Sequence, residues 1–193
     1  MTLDGRQDVT AILEEARAGS PEAASRVLAL LYQELRRLAG CLMRGQRPDH
    51  TLQPTALVNE VIVRLLRSET LREARNGAAL CAAAARAMRR ILIDHSRTRG
   101  RGKRGGGWNR VGLEGVSDPP GAPAGLDRLA LEEALQDLAE VEPRPADVIT
   151  LRFFGGMSVP EVAEALGVSV STVEGDYRVA RAWLYDRLRE DQA

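Results

Sequence analysis

The sequence predicts an all-α protein in which two helical domains are joined by a flexible linker rich in glycine and proline. Apolar residues recur along most of the chain at helical rather than alternating spacing. Aromatic residues make up 4% of the chain although 44% is hydrophobic, so Leu, Ala and Val must fill the core, a composition that favours helices over sheets. Nine of the 18 glycines lie in residues 98–125, where low hydrophobicity cannot offset the entropy lost on folding. The predicted domains are residues 8–99 and 126–190, with residues 100–125 as the linker.

Four helices are predicted in the N-terminal domain. Ser20-Pro21-Glu22 is expected to open the second helix, because serine favours the N-cap and proline the first helical position. A third helix is expected after Gln53-Pro54-Thr55. A polar loop over residues 68–77 then leads to a fourth helix over about residues 78–97. This domain is therefore expected to be a helical bundle.

Four helices are also predicted in the C-terminal domain. The first presents Leu residues at helical spacing, and the second, over about residues 145–154, stops at Gly155-Gly156. Ser158 and Glu161 fit a capping box that opens a third helix over residues 159–166. A long fourth helix is expected to start after Ser169 and to run to about Arg189.

The third and fourth of these helices fit the requirements of a helix-turn-helix. Ala163 supplies a small residue where the helices cross, Gly167 tolerates a left-handed turn, and Val173 is an apolar residue that fixes the crossing angle. An ordinary helical hairpin is the alternative. In a helix-turn-helix the second helix enters the major groove with its N-terminal part. The side expected to face DNA carries Ser171, Thr172, Glu174, Gly175, Arg178 and Arg181, and either Glu174 or Asp176 is a candidate acceptor for a cytosine amino group.

Charge is strongly segregated along a chain whose net charge is zero. Residues 86–110 carry nine basic side chains against the single acid Asp94, a net of +8, and residues 111–193 carry 7 Arg against 16 acids, a net of −9. The fourth helix brings Arg86, Arg89, Arg90 and Arg97 onto one broad face. A solvated run of charges is the ordinary alternative, but the presence of only one acid in this segment favours a nucleic-acid partner. The acidic C-terminal domain is expected to bind DNA weakly alone and to need tethering to a larger complex.

Catalytic, metal-binding and membrane motifs are lacking in the sequence. Neither His50 nor His95 belongs to an HExxH motif, lies beside a CxxC motif or forms part of a triad-like set. No phosphate-binding glycine motif occurs. We therefore expect neither enzymatic activity nor a cofactor nor a metal. Cys41 and Cys81 are expected to be buried thiols. No segment has the length of a membrane span or the pattern of a signal peptide, which predicts a cytoplasmic protein.

Three stretches resemble the extracytoplasmic-function (ECF) sigma factors over about residues 8–190. TLQPTALVNEVIVRLL is similar to the family's region 2.2 helix, AARAMRRILIDHSRTRGRGKRGGG to regions 2.3 and 2.4, and LRFFGGMSVPEVAEALGVSVSTVEGDYRVARAWL to region 4. The resemblance implies a sigma factor that binds core RNA polymerase and directs it to promoter DNA. Whether an anti-sigma factor also binds stays open.

The resemblance also implies a role for each surface. Docking on the coiled coil of the polymerase β′ subunit would fall to Leu57, Asn59, Glu60 and Arg64. Capture of the melted −10 element would fall to Asn76, Arg86, Arg89, Arg90 and Arg97. Residues 171–181 would read the −35 element while their domain packs on the β-subunit flap.

The chain departs from the family pattern at three places. Leu80 and Cys81 stand where relatives tend to have aromatic residues, and Arg90 where many have Asn, so stacking on flipped bases is less evident. Glu174-Gly175-Asp176 replaces a start of the recognition helix that is usually rich in Lys and Arg.

Two rival functions are open at this point. A helix-turn-helix regulator that works without polymerase would bind a palindrome as a dimer. An RNA-binding adaptor would use the RG-rich segment of residues 97–110 and would lose RNA binding when residues 100–107 are deleted.

Overall fold

The computed structural model describes residues 3–42, 53–69, 73–100 and 128–190, and most of the side chains within them. In the N-terminal part the helices are α1 (Leu3–Arg17), α2 (Pro21–Leu42), α3 (Pro54–Arg67) and α4 (Gly77–Gly100). In the C-terminal part they are α5 (Arg128–Val141), α6 (Pro143–Phe153), α7 (Val159–Leu166) and α8 (Val170–Glu190). The described ranges contain no strand. The all-α prediction is therefore confirmed.

Local signals at the helix ends form the interactions that the sequence predicts. The Ala23 N–H donates to the Ser20 hydroxyl at 3.2 Å and caps α2. At the start of α7, the Ser158 N–H and hydroxyl both donate to the Glu161 carboxylate, at 2.6 and 2.8 Å. These bonds satisfy donors that a helix start leaves without intrahelical partners.

Two helix starts differ from the sequence-based boundaries. α1 begins at Leu3, ahead of the predicted domain start at residue 8. α6 begins at Pro143 rather than near Pro145, because proline is well tolerated in the first turn of a helix, where its missing N–H leaves no bond unmade.

The helix α4 lies at the centre of the molecule. It packs against α1 and α3 on one side, where Leu80, Met88 and Ile91 are buried at helical spacing. Cys81 is buried in the same helix, while the side chain of Cys41 lies outside the described residues. On another side α4 contacts α6 and α7. Most of the contact between the two parts of the chain therefore involves this helix.

The C-terminal helices form their own apolar core. α5, α6 and α8 pack on one another, and α7 packs on α8. The fully buried side chains there include Leu135, Leu138 and Phe154. The predicted linker, residues 100–125, lies outside the described residues except for Gly100, the last residue of α4.

Candidate nucleic-acid interface

The helices α7 and α8 form the crossing that the helix-turn-helix pattern predicts. Gly167 adopts a left-handed conformation with φ of 67°. The Val168 N–H donates to the Ala163 carbonyl at 3.0 Å, which closes the turn. Ala163 is buried at the crossing and Val173 is fully buried. The turn therefore sets the direction in which α8 leaves the core.

Hydroxyl groups cluster at the N-terminus of α8. The Thr172 N–H donates to the Ser169 hydroxyl at 3.1 Å, so Ser169 caps the helix. The hydroxyls of Ser171 and Thr172 lie 2.9 and 2.8 Å from that of Ser169. This end of α8 is consequently polar and pre-ordered.

The residues proposed to read DNA lie along the outer side of α8. Ser171, Glu174 and Arg178 are exposed, while Thr172, Gly175 and Arg181 are half-buried. The Arg178 guanidinium donates to the Glu174 carbonyl of its own helix at 3.4 Å. The Arg181 guanidinium lies over the Tyr177 ring at 5.8 Å, and that of Arg152 lies 5.9 Å from the same ring. Arg178 is thus the more accessible of the two candidate arginines.

Asp176 does not belong to this outer surface. It is 8% exposed, and its two carboxylate oxygens accept hydrogen bonds from Arg144 at 2.6 and 3.1 Å. These hydrogen bonds and the adjacent negative charge raise the pKa of the Arg144 guanidinium above its ordinary value. Because Asp176 follows Val173 by three residues, it points inward toward α6. Of the two acids offered as acceptors for cytosine, only Glu174 is exposed.

On α4 and the turn before it, the candidate −10 residues differ in accessibility. Arg90 is exposed, and the side chain of Arg97 lies outside the described residues. The Arg86 guanidinium donates to both Asp147 oxygens, at 3.1 and 2.7 Å. The Asn76 amide nitrogen donates to Glu164 at 2.8 Å, and its amide oxygen accepts from the Ala79 N–H at 2.8 Å.

Arg89 completes this set. Its guanidinium lies 3.4 Å from the hydroxyl of the buried Thr150. Three of the residues expected to contact the −10 element, Asn76, Arg86 and Arg89, therefore contact the C-terminal helices. The partners on α6 and α7 carry no sequence pattern that identifies them in advance.

The outer face of α3 combines charged, polar and apolar side chains. Asn59 and Glu60 are exposed, and Arg64 bridges Glu60 at 3.0 Å and Asp94 of α4 at 3.1 Å. Leu57 is fully buried, so it supports this face from beneath and does not contact a molecule docked on it. The sequence-based prediction did not include two exposed apolar residues, Val63 and Leu66, which are 42% and 54% exposed to solvent. Their helical spacing from Asn59 is the signal that identifies them.

None of the helices within the described ranges is long and apolar enough to cross a bilayer. Those ranges also hold no group of three or more His, Cys, Asp or Glu side chains arranged to bind a metal ion.

Comparisons with known proteins identify the family of the chain. Among solved structures, it is similar to the sigma factor RpoE from Bartonella quintana in its complex with the anti-sigma factor NepR, at 19% identity and a TM-score of 0.39, over 86% of this chain and 96% of that chain. No curated protein matches. The family model for ECF sigma factor matches residues 6–190. The chain therefore belongs to the ECF sigma factor family, a family of transcription factors that bind core RNA polymerase and direct promoter recognition and transcription initiation.

Proposed function

We propose that this sigma factor divides its work among three surfaces. The outer face of α3 docks on the β′ coiled coil of core polymerase. Asn76 and the arginines of α4 capture the melted −10 element. The N-terminal part of α8 reads the −35 element while its unit contacts the β flap. The observation that supports this best is the exposed polar start of α8, held outward by the left-handed turn at Gly167.

The α3 face has the composition of a protein-binding surface. Exposed apolar residues beside charged ones are typical of interface patches, and Val63 and Leu66 provide them here. Arg64 holds Glu60 and Asp94 in place from two helices. These ion pairs hold the side chains of the face in position. They add little to the free energy of unfolding, since exposed pairs contribute about 0–1 kcal/mol.

The −10 surface combines a fixed amide with positive charge. The Asn76 oxygen caps α4, which orients the amide nitrogen outward from the helix start. Arg86, Arg89 and Arg90 follow on the helix and supply donors for phosphates and base edges. Such an arrangement suits a single strand whose backbone runs along α4.

The −35 surface must act despite an unfavourable charge. Residues 111–193 have a net charge of −9, which repels the phosphate backbone. Tethering to polymerase supplies a high effective concentration and offsets this repulsion. The proposal therefore requires that DNA recognition by α8 depend on the core enzyme.

Reconstituted transcription tests the proposed function. Core polymerase, the full chain and genomic DNA fragments are combined, and transcript 5′ ends are mapped. We expect new start sites that share upstream sequence elements. A chain that binds palindromic DNA as a dimer without polymerase, or that binds RNA through residues 97–110 and leaves transcription unchanged, would overturn the proposal.

Substitution on α3 tests the docking surface. Glu60→Ala combined with Arg64→Ala is expected to weaken binding to core polymerase about 10-fold, because two charge-bearing partners at one interface are lost. Affinity is measured by titration of labelled sigma factor with core enzyme. The matched control is Glu15→Ala with Arg26→Ala, which removes an exposed ion pair between α1 and α2. Equal affinities for the two double variants would contradict the assignment of α3.

A further inference from the structure

The contact between the two parts of the chain involves the candidate −10 residues directly. We call this contact the interdomain face: Asn76, Ala85, Arg86 and Arg89 on one side, and Asp147, Thr150, Gly155 and Glu164 on the other. Every polar side chain named on the N-terminal side is a residue for which we propose a role in −10 capture. The overlap suggests competition between the C-terminal helices and DNA.

At the centre of the interdomain face, the backbone of the loop between α6 and α7 lies close to side chains of the N-terminal helices. Gly155 is buried, and a Cβ added to it would lie 3.1 Å from the Ala85 Cβ of α4, across the contact, and 2.6 Å from the Leu151 carbonyl oxygen of α6, in its own part. A Cβ on Gly156 would lie 2.8 Å from Leu38 of α2. Small residues on both sides therefore let the loop between α6 and α7 pack directly on the N-terminal helices.

The edges of the interdomain face are held by complementary charge. Asp147 binds Arg86 with both carboxylate oxygens, the geometry that makes arginine–carboxylate pairs specific. Glu164 accepts from the Asn76 amide at 2.8 Å. Both acids thus occupy donor groups that a DNA phosphate or base would need. The acidic C-terminal part offers carboxylates where promoter DNA would offer phosphates.

We infer that the free sigma factor inhibits itself, with the acidic face of α6 and α7 covering the −10 surface of α4 until the two parts separate. This inference rests on the proposed role of α4 in −10 capture. Polymerase would separate the parts by holding them at distant sites, since a ligand shifts an equilibrium toward the state it binds better. The free chain would then bind single-stranded DNA poorly although its arginine surface is intact.

Charge reversal at one position of the interdomain face tests the inference. Asp147→Arg places a positive charge against Arg86 and should separate the two parts. The matched control is Asp137→Arg, which makes the same charge change in the same part of the chain but breaks a pair with Arg187 within that part. Both variants gain the same nonspecific attraction for DNA. A difference in DNA affinity between them therefore shows whether the arginine surface of α4 has been uncovered.

Two measurements are made on the full-length free protein without polymerase. Small-angle scattering gives the radius of gyration, and fluorescence anisotropy gives the affinity for a labelled single-stranded DNA pool of random sequence. We expect Asp147→Arg to be more extended than Asp137→Arg and to bind the DNA about fivefold more tightly, the scale of one partly exposed ion pair. Arg86→Glu combined with Asp147→Arg should return the chain to the compact dimensions of the wild type.

The outcomes separate this inference from the proposed function. Equal dimensions and equal DNA affinity for the two reversal variants would overturn the inference, even where the wild-type chain directs initiation with core polymerase. An extended Asp147→Arg chain that binds DNA no better than the control would overturn it as well, and would also remove α4 as the −10 surface. Failure of transcription with core enzyme, when Asp147→Arg is nevertheless more extended and binds DNA more tightly than the control, would count against the proposed function and leave the covering of α4 in the free chain standing.

Discussion

Asp176 illustrates how one residue on the helix proposed to read DNA serves the fold. Its carboxylate is buried and pairs with Arg144 through two hydrogen bonds, which join α8 to the start of α6. We expect Asp176→Ala to lower the melting temperature of the protein, because the substitution removes both hydrogen bonds between the helices. The control is Asp186→Ala, an exposed acid on the same helix with the same charge. Thermal unfolding followed by circular dichroism compares them, and equal melting temperatures would contradict this role.

Gly175 is the residue at which stability and recognition can be separated. A Cβ added there would meet no atom within 4 Å. Gly175→Ala should therefore raise the free energy of unfolding by about 0.5–1 kcal/mol, the difference in helix propensity. Urea denaturation measures this change, and a decrease in stability would contradict it. A stabilised variant with reduced promoter use would indicate that DNA approaches the backbone of α8 at this position.

At the scale of the element, the turn between α7 and α8 depends on one glycine. Gly167 has φ of 67°, a region that other residues enter at a cost of about 1–2 kcal/mol. We expect Gly167→Ala to destabilise the protein by about that amount, although a Cβ there would meet no neighbour within 4 Å. Gly40→Ala in α2 is the matched control, since its Cβ is equally unobstructed and its backbone is helical. Urea denaturation measures the free energy of unfolding of both variants. Equal values would show that the left-handed conformation at Gly167 does not limit stability.

The elements themselves were predictable because their signals are local. Pro21, Pro54 and the Ser158–Glu161 box each act within one helical turn, and each marks a helix start in the structure. The helix-turn-helix was predictable for the same reason. Its requirements fall within residues 159–181, and no distant residue has to be known.

The candidate site was less predictable because its accessibility depends on distant packing. Leu57 lies in the motif expected to dock on polymerase but is fully buried, since its position on α3 faces the core. Arg86 and Asp147 are 61 positions apart, and nothing in either sequence neighbourhood couples them. The sequence identifies which side chains have suitable chemistry, whereas the fold determines which of them are free to use it.

For the whole molecule, the segregated charge has two consequences. The net of −9 in residues 111–193 weakens DNA binding by the C-terminal part, and the net of +8 in residues 86–110 attracts any polyanion. Where α6 lies against α4, Asp147 of the acidic part pairs with Arg86 of the basic segment, and Arg89 contacts Thr150. On the inference drawn above, these same charged groups become available to polymerase and promoter once the parts separate.

Ionic strength distinguishes the charged edge of the interdomain face from its apolar centre. The screening length falls from about 8 Å at 0.15 M salt to about 3 Å at 1 M, while the packing of Gly155 on Ala85 and of Gly156 on Leu38 does not depend on charge. We expect the radius of gyration of the wild type to change little with salt, because the centre keeps the parts together. The Asp147→Arg chain should instead become more compact as salt rises, because screening weakens its repulsion of Arg86 while the apolar contacts persist. Scattering at a series of salt concentrations tests this expectation. An Asp147→Arg chain that stays extended at 1 M salt would contradict it. The ion pair, and not the glycine contact, would then hold the two parts together.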